Sequence, residues 1–127
     1  MSLRHKAALL ALTPLSALGM LALTSGAPAG ASTKATTVKA VETNFHIALS
    51  VKKFKPGKYV FVAENKGQSS HSLEITGPGL HNAATKLLLP GQSAKLKVTF
   101  KAGKYDVFCP VPGHKALGMN VNLVISS

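Results

Sequence analysis

The sequence has no tryptophan, a single cysteine and four acidic side chains, and it has no arginine beyond Arg4. Each shortage excludes something. Nucleic-acid binding is not expected, because that chemistry draws on arginine forks and on aromatic side chains interleaved with basic ones. The lone Cys109 closes no internal disulfide. No long amphipathic helical pattern is present, so the core must be built from something else. The Met-rich and His-rich extensions that suit metal delivery are also missing.

What is abundant is lysine. Fifteen Lys and Arg face four Asp and Glu, a formal charge of +11. A solvated basic surface is the plain reading, and steering toward an acidic or anionic partner is the functional one. The first residues carry Arg4 and Lys6, and 7–24 is an uncharged, Ala- and Leu-rich run ending in small residues. That order is the pattern of a secretory signal peptide. We therefore expect a signal over 1–31 and one domain over 32–127, placed in the periplasm or outside the cell. Loss of Arg4 and Lys6 leaves a charge near +9. Membrane association is expected only if the signal stays uncleaved. No arginine pair marks a twin-arginine route and no cysteine follows the run for a lipid anchor.

From Val38 onward the chain reads as short β-like runs separated by turns. Phe45, Ile47, Leu49 and Val51 alternate with polar or small residues, as do Ala94, Leu96, Val98 and Phe100. Val38–Val41, Tyr59–Ala63, His71–Thr76, Lys104–Phe108 and Asn120–Ser126 are further candidates, and 83–89 reads as a helical turn or a loop. Seven or eight strands in about 95 residues predict an all-β fold, a Greek-key antiparallel β-sandwich.

An unpaired cysteine in an exported chain calls for an explanation, and its neighbours offer one. Between two predicted strands, 109–119 carries Cys109, His114 and Met119, with two prolines and two glycines among them. Thiolate, imidazole and thioether together suit copper in both of its oxidation states. Zinc is the competing metal, but thioether is a poor zinc ligand. A thiol nucleophile beside His114 lacks a visible orienting group. A fourth ligand must come from His46, His71 or His81. Placement at a strand end beside a turn favours His71, and the other two stay open at this point.

The run Tyr105-x-x-x-Cys109-x-x-Pro112-Gly113-His114-x-x-x-Gly118-Met119 resembles the copper loop of the cupredoxins, the plastocyanin/azurin family. Asn65-x-Gly67-x-x-x-His71-Ser72 resembles their first-histidine region, and the likeness spans roughly 40–127. The Cys-x4-His-x4-Met spacing is similar to that of rusticyanin, auracyanin and other small bacterial cupredoxins. The resemblance implies one copper per chain, with His71, Cys109 and His114 as the trigonal ligands and Met119 as the weak axial one. It also implies that Ser72 ties the His71 segment to the copper loop. The acidic docking patch of plant plastocyanins is missing, so redox partner proteins with acidic or anionic docking surfaces are expected instead. The implied activity is one-electron transfer by a monomer that is not an enzyme, with Val111, Pro112, Ala116 and Leu117 around a His114 electron port. Extracytoplasmic copper delivery or buffering is the alternative.

Overall fold

A computed structural model describes residues 34–127 of the chain, so the expected signal and its boundary lie outside the described residues. The element order is β1 (Thr36–Thr43), β2 (His46–Leu49), β3 (Gly57–Asn65), β4 (Glu74–Thr76), β5 (Ala83–Ala84), β6 (Ser93–Phe100), β7 (Gly103–Phe108) and β8 (Asn120–Ile125). They form two four-stranded sheets, ordered β2-β1-β3-β6 and β5-β4-β7-β8. The chain changes sheet after β3, β5 and β6, and no helix occurs among the described residues. The expected all-β sandwich is what forms.

The period-two alternation explains which side faces in. On β3, Tyr59, Phe61, Ala63 and Asn65 are buried while their neighbours are not. Val38, Ala40 and Glu42 do the same on β1, and Tyr105 and Val107 on β7. Away from the 109–119 loop, Phe54, Tyr59, Phe61, Phe100 and Tyr105 pack as one aromatic group, with adjacent centroids between 4.6 and 6.2 Å.

Three details depart from the sequence-based expectation. One ladder is parallel: β1 pairs with β3 from Thr36↔Tyr59 to Glu42↔Asn65. The reason is topological. The β2 strand returns antiparallel on one side of β1, and the 50–56 loop then passes under β1 to start β3 on its other side. Second, the strand expected from His71 begins only at Glu74, and His71 itself forms an isolated bridge to Leu88. Third, the ambiguous 83–89 stretch holds no helical turn. It supplies the two-residue β5 against β4 and then the partner of His71.

Candidate metal centre

The sheets deliver β1, β3, β4, β7 and β8 to one end of the sandwich, where the chain leaves β3 at Asn65 and β7 at Phe108. Asn65 organises the first loop. Its side-chain amide donates to Ser69 O at 2.8 Å and Leu88 O at 2.9 Å, and its carbonyl accepts from Gly67 N at 2.9 Å. His71 is then fixed by backbone bonds in both directions with Leu88, at 3.0 and 2.7 Å. Its ring is wholly buried.

Orientation of that ring comes from Asn44, in the turn between β1 and β2. Its Oδ1 lies 2.9 Å from His71 Nε2 and also accepts from the backbone of Gln68 and Ser69 at 3.3 Å. An amide oxygen only accepts, so it selects the His71 tautomer protonated at Nε2. Nδ1 is left with a free lone pair facing inward. Gly67 makes this approach possible. A Cβ there would stand 2.5 Å from Asn44 Oδ1 and 2.8 Å from His71 Nε2. Phe45 packs edge-on to both histidines, at 6.5 Å from His71 and 4.9 Å from His114.

The second loop closes on itself. Cys109 N donates to Met119 O at 3.1 Å, and Met119 N donates to His114 O at 3.2 Å. Residues 112–118 are successive turns, with Gly113 at φ +83° where a side chain would be strained. The thiol of Cys109 and the side chain of Met119 are fully buried, while His114 is half-buried.

The result is a triangle of donor atoms. His71 Nδ1 and His114 Nδ1 are 3.1 Å apart, and Cys109 Sγ is 3.9 Å from the first and 3.6 Å from the second. The circle through these corners has a radius of about 2.1 Å, close to the ~2.0–2.3 Å of metal–imidazole and metal–thiolate bonds. No other group of three or more His, Cys, Asp or Glu among the described residues is so arranged.

The electrostatics agree with a site for a cation. Burial, and then the neighbouring His114, holds His71 below the usual imidazole range, so it stands neutral with a lone pair to give. Burial pushes the Cys109 thiol up, partly opposed by the backbone N–H groups of Ser72 and Val111 directed at it. A thiol raised in this way ionises when a metal takes the proton's place. Two imidazole nitrogens and one thiol sulfur, beside a loop whose buried Met119 is tied by its backbone to Cys109 and His114, are the donor types of a mononuclear copper site. The residues therefore fit copper.

One expectation needs correcting in detail. The Ser72 hydroxyl does not reach the second loop. It bonds to Thr85 O at 3.0 Å and lies 3.3 Å from Thr85 Oγ1, and Ser72 serves the sulfur through its backbone. The choice among the three histidines falls on His71, as its strand-end placement suggests, and His46 and His81 are exposed and stay outside the cluster. Asn44 and Phe45 were not foreseen. They stand 27 and 26 residues before His71, and no local spacing signals such a contact.

Asn44→Ala should therefore leave the fold intact but weaken copper binding by about 10–100-fold, the usual cost of losing a group that orients a ligand. A chelator competition titration measures it, and unchanged affinity would remove Asn44 from the site.

Comparison with known proteins bears on this geometry. Residues 29–126 match the family described as copper binding proteins, plastocyanin/azurin family. Among solved structures, the chain is similar to a dithionite-reduced auracyanin from the photosynthetic bacterium Roseiflexus castenholzii. The identity is 22% and the TM-score 0.59, with 73% of this chain and 98% of that one covered. It is similar to auracyanin A, a "blue" copper protein of Chloroflexus aurantiacus, at 17% identity and TM-score 0.56, covering 73% and 100%. It is also similar to a multicopper oxidase, at 16% identity and TM-score 0.53, covering 73% of this chain and 42% of that one. At these identities the likeness speaks for the fold. No curated protein matches the sequence.

Proposed function

The chain belongs to the plastocyanin/azurin family of copper binding proteins, and from that premise we propose that it is a one-electron carrier with a single type 1 copper held by His71, Cys109, His114 and Met119. The observation that carries this reading is the buried triangle of two imidazole nitrogens and one thiol sulfur. Bound there, copper supplies a one-electron couple between its cuprous and cupric states.

The protein's own part is to hold the donors still. Asn44 fixes the His71 tautomer, Leu88 fixes its backbone, and the Cys109–Met119 and Met119–His114 bonds fix the loop. Phe45 blocks ring rotation on one side. Ligands held by packing have little to rearrange when the charge between them changes by one, which favours fast exchange. His114 alone of the set reaches toward solvent, beside the exposed Pro112, Ala116 and Leu117. We place contact with redox partner proteins there. Leu117 is 61% exposed and with Pro112 and Ala116 forms an apolar rim around His114 that a protein partner can cover.

Delivery of copper is the competing reading, and burial opposes it. His71, Cys109 and Met119 are each 0% exposed, so handing over the ion means opening the core. An enzyme reading asks for an open coordination position, and we infer a carrier without catalysis. The apolar run 7–24 supports export from the cytoplasm.

The copper-loaded protein should be intensely coloured when oxidised and should keep its copper against a chelator through repeated cycles. A colourless oxidised form, or ready loss of the ion, would overturn the proposal. Met119→Leu should retain copper and raise the reduction potential, because a soft thioether donor would be lost. Voltammetry reads this directly, and an unchanged potential would take Met119 off the ligand set.

A further inference from the structure

The lysines are not spread evenly. All thirteen lysines of the described residues are exposed, yet the four acids all lie in the half of the sandwich nearest the metal centre. Glu42 and Glu64 are near the end of β1 and β3, and Glu74 pairs with Phe108 beside Cys109. Asp106 faces Thr76 and Asn122 and is ion-paired with Lys115. Glu64 is ion-paired as well, with Lys39 and Lys66.

The opposite end has no acidic side chain. It is where β1 and β3 begin, where β6 turns into β7 and where the 50–56 loop crosses to Phe54, which bridges Ile125. Here stand Lys34, Lys52, Lys53, Lys55, Lys58 and Lys101, with Lys104 just above. Lys34, Lys53, Lys55 and Lys58 line one shallow hollow with Thr36, Pro56 and Gly57. From Lys58 to the metal centre is the length of β3, roughly 25 Å at about 3.3 Å per residue.

We propose that this lysine end docks on an anionic lipid surface, with phosphate headgroups seated among the lysines and the metal end held outward. Charge complementarity carries the assignment. A lipid headgroup layer needs only clustered point charges, which is what lysine offers. A protein partner needs apolar or aromatic anchors at the centre of its footprint and tends to exclude lysine. Most of those anchors are elsewhere. Of the four large apolar side chains left exposed among the described residues, Leu87, Leu89 and Leu117 belong to the metal end, and Val124, across from Lys104 on β8, is the single one near the lysine end. The molecule thus presents one end suited to a protein and one suited to a bilayer surface. Glu42, Glu64 and Glu74 stand five or more strand residues above this end, beyond a Debye length of about 8–10 Å, and Asp106, the one acid close to Lys104, is ion-paired with Lys115.

The test uses the full copper-loaded chain and phosphatidylcholine vesicles with or without phosphatidylglycerol, at low and physiological salt. Co-sedimentation should show a component that requires phosphatidylglycerol and fades with salt. Any binding through the apolar 7–24 run appears on neutral vesicles too, and the attraction of Arg4 and Lys6 to phosphatidylglycerol is the same in parent and variants, so both cancel when the three proteins are compared. The triple variant K52E/K53E/K55E should lose at least about 100-fold of the phosphatidylglycerol-dependent partitioning. K66E/K86E/K95E makes the same change of net charge nearer the metal and should stay within about threefold of the parent. Visible spectra confirm that both variants hold copper. Equal losses in the two variants would mean net charge alone is at work, and no phosphatidylglycerol dependence in the parent would refute the assignment outright. If the parent ignores phosphatidylglycerol while K52E/K53E/K55E loses its reaction with a protein donor, the patch serves a protein and the lipid assignment is wrong.

Discussion

Cys109→Ser should abolish the intense visible band of the copper-loaded protein completely while leaving a folded chain. The reasoning separates two effects of one atom. The thiol is buried, and the backbone N–H groups of Ser72 and Val111 point at it. A serine hydroxyl can accept from the same groups, so the metal-free variant should lose only about 1 kcal/mol, a modest cost for a buried polar replacement. The metal-dependent loss is far larger, because an alkoxide is not formed at neutral pH and the charge-transfer donor is gone. Copper at a thousandfold excess over its dissociation constant stabilises a protein by about 4 kcal/mol. In the variant that increment should vanish. Denaturation with and without copper, read beside the visible spectrum, checks both halves. A surviving band would show that another sulfur or another site binds the ion, and since Met119 is the only other sulfur after residue 20, the assignment would fail.

What could be read in advance was whatever the chain keeps local. Cys109, His114 and Met119 lie within eleven residues, and a loop between two strands can bring them together without help from elsewhere. His71 was legible because a ligand delivered from another strand must sit at a strand end. Asn44 and Phe45 were not, since only the return of β2 against β1 and the passage of β3 alongside place them over the histidines. The parallel β1–β3 ladder escaped for a related reason. Alternation tells which face of a strand is buried, not the direction of its neighbour. Likewise the lysine excess is plain in composition, but its gathering at one end is a property of registers.

Glu42 shows the same limit and yields the second large effect. Alternation alone places it inward on β1, after Val38 and Ala40, yet a carboxylate there contradicts its surroundings. It is 0% exposed, and neither carboxylate oxygen has a hydrogen-bond partner among the described residues. Its ladder neighbours are Ile47 and Asn65, and the Asn65 amide is already committed to Ser69, Leu88 and Gly67. The closest lysines by position, Lys39 and Lys66, serve Glu64 instead. Burial alone pushes its carboxyl up from 4.5 to about 7. A raised acid pKa means the folded state prefers the protonated form. Its favourable state is therefore complete below pH 4.5, is eroded as pH rises, and is gone once pH has passed about 7. The interval corresponds to about 3 kcal/mol. Glu42→Gln removes the ionisation while keeping the shape. The metal-free variant should match the parent near pH 4 and exceed its stability by up to about 3 kcal/mol at pH 8. Comparing the two proteins cancels the opposite trend from His71, whose lowered pKa makes stability rise with pH. Urea denaturation across that range is the measurement. A variant weaker than the parent at pH 8 would mean the carboxylate has a cationic or donor partner in solution, and the cost assigned to its burial would be wrong. The same substitution should also ease ionisation of Cys109, whose thiol feels the Glu42 charge, so the buried acid weighs on the copper ligand as well as on the fold.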